Sequence, residues 1–161
     1  MHPVITLDQL ELEQTRQGAL FESQDCAFAE LIGLQGLGAR YNEVAPGKSA
    51  CPFHNHQVED ELFVILEGEG EYRFGLQRHP VGAGDVLGAP AGGTETAHQL
   101  INTGAQPLKY LAVSTRARAE MIEYPDSGKF LVKSHTPEGE QTRFVGRYSD
   151  ERDYWEGEPG A

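Results

Sequence analysis

Turn-forming residues recur along the whole chain and divide its apolar residues into short runs. Nineteen glycines and nine prolines are spread over 161 residues and are not gathered in one linker. Short apolar runs separated by turns are typical of all-β sandwiches and barrels. The length fits one ordinary domain. The sequence therefore predicts a single all-β domain with little helix.

The predicted strands lie mainly in the middle of the chain. Residues 6–12 show a weak helical pattern, enough for a turn or two. Apolar runs bounded by glycine, proline or asparagine predict the strands. These cover residues 28–32, 39–44, 61–66 and 71–74, a short stretch ending near Val81, and residues 86–87, 98–101 and 108–115.

The last quarter of the chain has a different character. From about Glu120 onward, polar residues are interrupted by isolated aromatics. A segment of this composition has too few apolar residues to form its own core. We expect it either to drape over the domain, or over a partner's, through its aromatic side chains or to be partly disordered. Those aromatics are Tyr124, Phe130, Phe144, Tyr148 and Trp155.

The charge balance excludes several classes of partner. The chain has 25 acidic residues against 13 lysines and arginines, a net charge of -12. Such a field repels nucleic acid phosphates, and the sequence contains no basic patch to offset it. No apolar stretch approaches the ~20 residues that cross a bilayer. The amino terminus lacks the basic start and apolar middle of a signal peptide, so we expect a cytoplasmic protein.

Three histidines and a glutamate form the strongest chemical signal. His54 and His56 are two residues apart, so in an extended strand they share a face. Glu61 follows five residues after His56, and His98 lies on a later strand. Three imidazoles and a carboxylate suit zinc, iron, nickel, copper, cobalt or manganese. Cys51, three residues before His54, is expected to be a small half-buried neighbour of this site.

The spacing of these residues resembles the first motif of the cupin family. That motif runs from a glycine to H-x-H, then to a glutamate, and six residues later to a second glycine. Here it is matched by Gly47, His54, His56, Glu61 and Gly68. Glu59 is a rival to Glu61, but only Glu61 has the correct spacing to the second glycine. The match is specific because five positions agree in order.

The second cupin motif follows after fifteen residues. It is matched by Gly84, by Pro90-Ala91-Gly92, by His98 and by Asn102. Five residues separate Gly92 from His98, where the family usually has two. This longer loop contains Glu95. In all, the resemblance covers about residues 36–115.

The resemblance implies a cupin double-stranded β-helix, a jelly-roll barrel with N- and C-terminal extensions. Residues 36–118 would form the barrel. Residues 1–35 would add strands on the barrel or on a partner, and residues 119–161 would drape over it. Exposed sheet edges in such small barrels favour a homodimer. In metal-binding cupins the matching residues hold one divalent ion (zinc, iron, manganese or nickel) and here are His54, His56, Glu61 and His98.

The reaction is left open by the fold, which hosts many activities. Residues 90–98 and 123–129 are similar to small bacterial cupins loosely labelled sugar-phosphate isomerases. This implies a metal-dependent isomerase or epimerase on a small polar carbonyl compound such as a sugar or sugar phosphate. An iron-dependent dioxygenase and a non-enzymatic small-molecule-binding or sensor protein are the alternatives. Glu95 and Tyr72 are the candidate catalytic residues; the alternative for Glu95 is solvent exposure, and for Tyr72 core packing.

Overall fold

The structure, a computed structural model, describes residues 3–136 and 141–160. These residues form thirteen strands joined by turns and by single 3-10 turns at Leu7–Gln9, Glu30–Ile32, Thr94–Thr96 and Tyr148–Asp150. The strands are β1 (Glu13–Gln17), β2 (Phe21–Ala27), β3 (Leu37–Val44), β4 (Asn55–His56), β5 (Glu61–Glu67), β6 (Glu69–Phe74), β7 (Gln77–Gly82), β8 (Val86–Ala89), β9 (His98–Asn102), β10 (Leu108–Thr115), β11 (Ala119–Tyr124), β12 (Lys129–His135) and β13 (Gln141–Arg147). The all-β prediction is confirmed. None of the described helices could span a membrane.

Three antiparallel sheets build the barrel. The largest has the order β1-β2-β3-β10-β5-β8, the second β13-β12-β11-β4, and the third β7-β6-β9. Single bridges between Ser49 and Ile101 and between His54 and His98 join strands outside these ladders. Packing the sheets against one another in this way encloses a core.

The core lies between the sheets and follows the alternation of β5 and β10. Phe63 and Ile65 face inward from β5, and Tyr110 lies opposite Ile65 on β10. A slip of one residue would turn these side chains to solvent, so their burial fixes the register. Each large apolar side chain buried here contributes roughly 1.5–3 kcal/mol. The buried cluster consists of Val44, Phe63, Ile65, Tyr72, Val81, Leu87, Ala89, Leu100, Leu108 and Tyr110.

Most strands predicted in the middle of the chain are present, and β10 has the predicted bounds, 108–115. The strand predicted at residues 28–32 is wrong, because Glu30–Ile32 form a 3-10 turn. Gly33, with φ of 81°, ends that turn in the left-handed region that glycine adopts without strain. The chain is thereby redirected into β3. Of the weak helical pattern over 6–12, only the turn at Leu7–Gln9 forms.

Both ends of the chain add strands to the barrel. β1 and β2 extend the large sheet beyond β3. β11, β12 and β13 form a ladder of their own, and β11 also pairs with the two-residue strand β4. In that pairing Ile122 lies opposite His56, and Glu123 opposite Asn55. The last strands therefore support the segment that carries the predicted ligands.

Candidate metal centre

Backbone pairing brings the distant histidines together. His56 lies in β4, and His54 just before it pairs with His98 at the start of β9. The N–H of His54 donates to the carbonyl of His98 at 3.1 Å, and the N–H of His98 donates back at 2.7 Å. This reciprocal pair places the two imidazoles with ring centroids 4.6 Å apart. The fold, not local sequence, therefore joins the two motifs.

The three Nε2 atoms converge on one oxygen of Glu61. The distances to Glu61 Oε2 are 3.9 Å from His54, 3.4 Å from His56 and 3.1 Å from His98. Ligands bound at about 2.0–2.2 Å around one ion lie about 3.0–3.5 Å from one another. Two of the three separations fall in this range, and His54, Glu61 and His98 have one ligand atom each within 4.8 Å of one another, as one divalent ion requires. His56 Nε2 lies beside Glu61, but the other ligand atoms grouped with His56 are those of Glu59 and Glu120. That all four residues bind one ion stays a prediction.

Carbonyl oxygens hold two of the imidazoles in the orientation that a metal needs. His54 Nδ1 is 2.8 Å from the Pro52 carbonyl, and His98 Nδ1 is 3.3 Å from the Thr96 carbonyl. An Nδ1–H that donates to a carbonyl leaves the Nε2 lone pair available on the opposite side of the ring. In this tautomer the Nε2 atom of each ring can serve as a metal ligand.

The pKa values of His54 and Glu61 favour metal binding, whereas the raised pKa of His56 opposes it. Burial lowers the pKa of His54 to about 4, assisted by His98 and His56, so His54 is neutral at pH 7. Burial alone would raise the pKa of Glu61, but hydrogen bonds from His56 and His98 outweigh it and hold that pKa well below its usual range. Burial also opposes the charge on His56, yet Glu61, Glu120 and Glu59 together raise its pKa. Glu61 is therefore ionised, which is the form that a carboxylate metal ligand takes.

A buried acidic layer lies behind His56. Among the described residues, His56 Nδ1 has no hydrogen-bond partner, and its nearest carboxylate oxygens are Glu120 Oε2 at 3.7 Å and Glu59 Oε2 at 3.8 Å. Glu120 is only 3% exposed and binds the backbone of the loop between β4 and β5. Its carboxylate accepts N–H bonds, 2.6–3.2 Å long, from Gln57, Val58, Glu59 and Met121.

Glu59 belongs to this layer and not to the point where the imidazoles converge. Its carboxylate accepts a hydrogen bond of 2.8 Å from the Lys133 ammonium and one of 2.9 Å from the Ala117 N–H. The Nε2 atoms instead face Glu61, as the glycine spacing indicates. The sequence did not reveal Glu120, because no motif contains it and its role depends on contacts made across the fold.

Cys51 lies beside the cluster as a neutral thiol. Its Sγ is 3.9 Å from His54 Nδ1. Burial, followed by the nearby Glu61 carboxylate, raises its pKa to about 12. Only the thiolate is a good metal ligand, so this environment favours the role of a half-buried neighbour.

Tyr72 is buried in the core next to the cluster. Its hydroxyl donates to the Gly88 carbonyl at 2.9 Å, and its ring centroid lies 6.3 Å from that of His98. Burial, together with the charge of Glu61, raises its pKa. This is the satisfied packing expected of a core tyrosine. A catalytic role for Tyr72 stays a prediction.

Glu95 lies in the longer loop and is exposed. Its carboxylate accepts the backbone N–H of Gly93 at 3.1 Å. It lines a surface hollow together with Phe53, Arg73, Leu76 and Asp126. It does not line the cavity that reaches Glu61. A role of Glu95 as general base therefore stays a prediction. It would require the carboxylate to break its hydrogen bond with Gly93 and turn toward the cluster.

A cavity of about 400 Å³ opens beside the cluster and meets it at Glu61. Residues of β3, β5, β10 and β12 line it. The end of β2 and the segments that follow β2 and β10 contribute the others. Small side chains keep it open, while charged groups make it polar. Its lining consists of Ala27, Ala29, Glu30, Gly38, Ala39, Arg40, Glu59, Glu61, Ala112, Ser114, Arg116, Ala117, Lys133 and His135.

Comparison with known proteins identifies the class. Residues 40–114 match the family described as Cupin domain. This part of the chain is therefore a cupin domain, and the fold is the cupin jelly roll. It is similar to a solved "sugar phosphate isomerase from a cupin superfamily" of Silicibacter pomeroyi, with a TM-score of 0.77 and 23% identity over 91% of this chain and 94% of that one.

The chain is also similar to two other proteins. A provisionally named sugar phosphate isomerase of Acidithiobacillus ferrooxidans has a TM-score of 0.77 and 23% identity, covering 93% of this chain and 95% of that one. The "Oxalate-binding protein" of Thermotoga maritima is 37% identical over 68 residues, which are 42% of this chain. The match spans 54% of that relative, about half its length. At their identity the two solved structures establish the fold alone.

Proposed function

We propose that the chain binds one divalent metal ion through His54, His56, Glu61 and His98 and acts as an isomerase or epimerase on a small polar carbonyl compound, such as a sugar or sugar phosphate. The observation that supports this most is the convergence of three imidazole nitrogens on Glu61 at the edge of a polar cavity. A bound divalent ion would supply a Lewis acid that polarises the carbonyl.

The residues of the chain supply binding and proton transfer. Ser114 and Arg40 line the cavity and offer hydrogen-bond donors to hydroxyl groups of a sugar. Isomerisation also needs a base for the proton on the carbon beside the carbonyl. Glu95 and Tyr72 are the candidates from the sequence, and Glu59 joins them because it lines the cavity.

The chemistry of the cavity favours this function over a dioxygenase for aromatic substrates. Its lining carries six charged side chains from lysine, arginine and glutamate. It includes no phenylalanine, tyrosine or tryptophan among the described residues, and its aromatic ring is the imidazole of His135. An apolar aromatic compound would desolvate those charges without replacing their hydrogen bonds, which is unfavourable.

Binding without turnover is the second candidate. The relative from Thermotoga maritima is named for binding oxalate, and the cavity lining here includes two arginines that suit a carboxylate. The two functions differ in one measurable respect, since only an isomerase or epimerase exchanges the proton beside the carbonyl.

Proton exchange in D₂O is the test of the proposed function. With the metal-loaded protein and a panel of aldoses, ketoses and their phosphates, we expect NMR to detect deuterium at the carbon beside the carbonyl. Metal removal by a chelator should abolish it. If Glu95 is the base, Glu95→Gln should slow exchange by about 10²–10⁴-fold while keeping the metal. Tight binding with no exchange across the panel would contradict the enzyme and support the binding protein.

We also propose a homodimer. β13 is the edge strand of its sheet and exposes Phe144 and Val145 by 53% and 43%. Tyr154 and Trp155 beyond it are 82% and 62% exposed. Unpaired edges and exposed aromatics are commonly covered by a second copy. Light scattering should give twice the chain mass of 17.7 kDa, and Phe144→Glu should weaken association. A wild-type mass of 17.7 kDa at micromolar concentration would contradict it.

A further inference from the structure

The C-terminal extension contributes to the cavity that reaches the candidate metal centre. Lys133 and His135 lie on β12, beyond the match to the Cupin domain, and both line the cavity. Arg40 from β3 and Arg116 from the segment after β10 complete a set of basic side chains around it. Four basic residues from three parts of the chain are therefore gathered at one opening.

Empty space in front of these side chains is maintained by small residues. Gly38 and Ala112 lie where larger side chains would fill the cavity. A Cβ at Gly38 would approach Ser114 Oγ to 2.6 Å, so even alanine requires that hydroxyl to shift. The volume of about 400 Å³ is sufficient for a small polar compound.

The basic residues retain hydrogen-bond donors for a ligand. Lys133 pairs with Glu59 at 2.8 Å, and Arg116 Nη1 pairs with Glu30 at 3.0 Å. Arg40 Nη1 pairs with Asp25. An ammonium has three N–H donors and a guanidinium has five, so one pair leaves several donors that can bind an oxyanion.

A bound divalent ion would make this region much less acidic than the rest of the chain. Three cationic side chains, Arg40, Arg116 and Lys133, balance three carboxylates of the lining, Glu30, Glu59 and Glu61. Two more carboxylates lie just behind, Asp25 paired with Arg40 and Glu120 near His56, so a divalent ion would bring the region to about zero net charge. The chain as a whole has a net charge of -12, so an anion meets less repulsion here than the overall charge implies.

We propose that the cavity binds a small compound with two anionic or polar ends. One end supplies oxygen ligands at the metal centre, and the other is a phosphate or carboxylate held by Lys133 and His135 with the two arginines. This proposal rests on the proposed metal site and narrows its substrates to compounds that carry an oxyanion. It also makes β12 part of the binding site.

Calorimetry with three probes tests the proposal on the zinc-loaded full chain. 2-Phosphoglycolate carries a phosphate end, malonate a second carboxylate, and glycolate neither. We expect phosphoglycolate or malonate to bind at least about tenfold tighter than glycolate, and the tighter of the two identifies the oxyanion. Metal-free protein should bind either probe at least about tenfold more weakly. Equal affinity for all three probes would overturn the proposal.

Variants on β12 locate the oxyanion end. Lys133→Gln and His135→Gln should each weaken binding of the preferred probe by about tenfold and keep one ion per chain. His135→Gln leaves the pair between Lys133 and Glu59 intact, so it serves if Lys133→Gln fails to fold. Lys129→Gln, on the same strand but outside the cavity, is the matched control and should bind within about twofold of the wild type.

The two proposals fail in different ways. Metal stoichiometry measures the metal site alone, because none of these variants removes a predicted ligand. If His135→Gln and Lys133→Gln both bind the probe as the wild type does with one ion present, the oxyanion site is wrong and the metal site stands. If the wild-type protein takes up no ion, the metal site is wrong.

Discussion

Replacement of both His54 and His56 by alanine is expected to yield a folded protein that has lost its metal ion. Two of the four converging donors disappear, whereas the buried cluster around Ile65 is untouched. Loss of a residue that only hydrogen-bonds to a metal ligand weakens metal binding by about 10–100-fold. Loss of two ligands should therefore weaken metal binding by more than this. Elemental analysis gives the stoichiometry, and circular dichroism tests the fold.

The matched control for this variant is His79→Ala. His79 is exposed on β7 and lies outside the cluster, so its removal should leave about one ion per chain. The control separates the effect of the site from that of losing any histidine. A double variant that retains full stoichiometry would show that the ligands are assigned wrongly.

Replacement of Glu120 by alanine should produce the largest loss of stability among single changes near the site. The N–H groups of Val58, Glu59 and Met121 lose this acceptor, and His56 loses a nearby carboxylate. The Gln57 N–H also loses it but keeps the Met121 carbonyl as an acceptor. An unsatisfied buried donor costs about 1–3 kcal/mol, and partial relaxation of the loop reduces the sum. We expect the free energy of unfolding to fall by about 3–5 kcal/mol, measured by urea denaturation of the metal-free protein.

Two further variants show whether the carboxylate itself matters. Glu120→Gln keeps the shape and one oxygen acceptor, so its loss should lie between those of the wild type and Glu120→Ala. Glu13→Ala removes an exposed glutamate on β1 and should change stability by less than about 0.5 kcal/mol. If Glu120→Ala loses under about 1 kcal/mol, the carboxylate does not hold the loop.

The apolar strands could be predicted from sequence because burial leaves a pattern. β5 and β10 alternate inward and outward residues, and residues 108–115 were predicted with their observed bounds. Strands were expected somewhere in residues 1–35, but the bounds of β1 and the existence of β13 were not predicted, because nearly all their side chains are exposed and their stability comes from backbone pairing. Propensity alone carries little information for such strands.

The candidate site was predictable to the extent that spacing encodes it. The four residues proposed as ligands follow from two short motifs, and the three Nε2 atoms lie 3.1–3.9 Å from Glu61 Oε2. Glu120 and Lys133 could not be found in this way, because only the tertiary fold brings β11 and β12 against the loop after β4. Residues that act across sheets leave no local signal.

The pairing of β11 with β4 limits how this centre can be transplanted into another scaffold. β4 has two residues, too few to hold a straight backbone unaided, and Ile122 and Glu123 align it. The Gln57 N–H adds a bond to the Met121 carbonyl at 3.0 Å. A graft cut from the Cupin domain at 40–114 would carry the four donors without the strand that aligns them. The smallest portable unit therefore extends through residue 124.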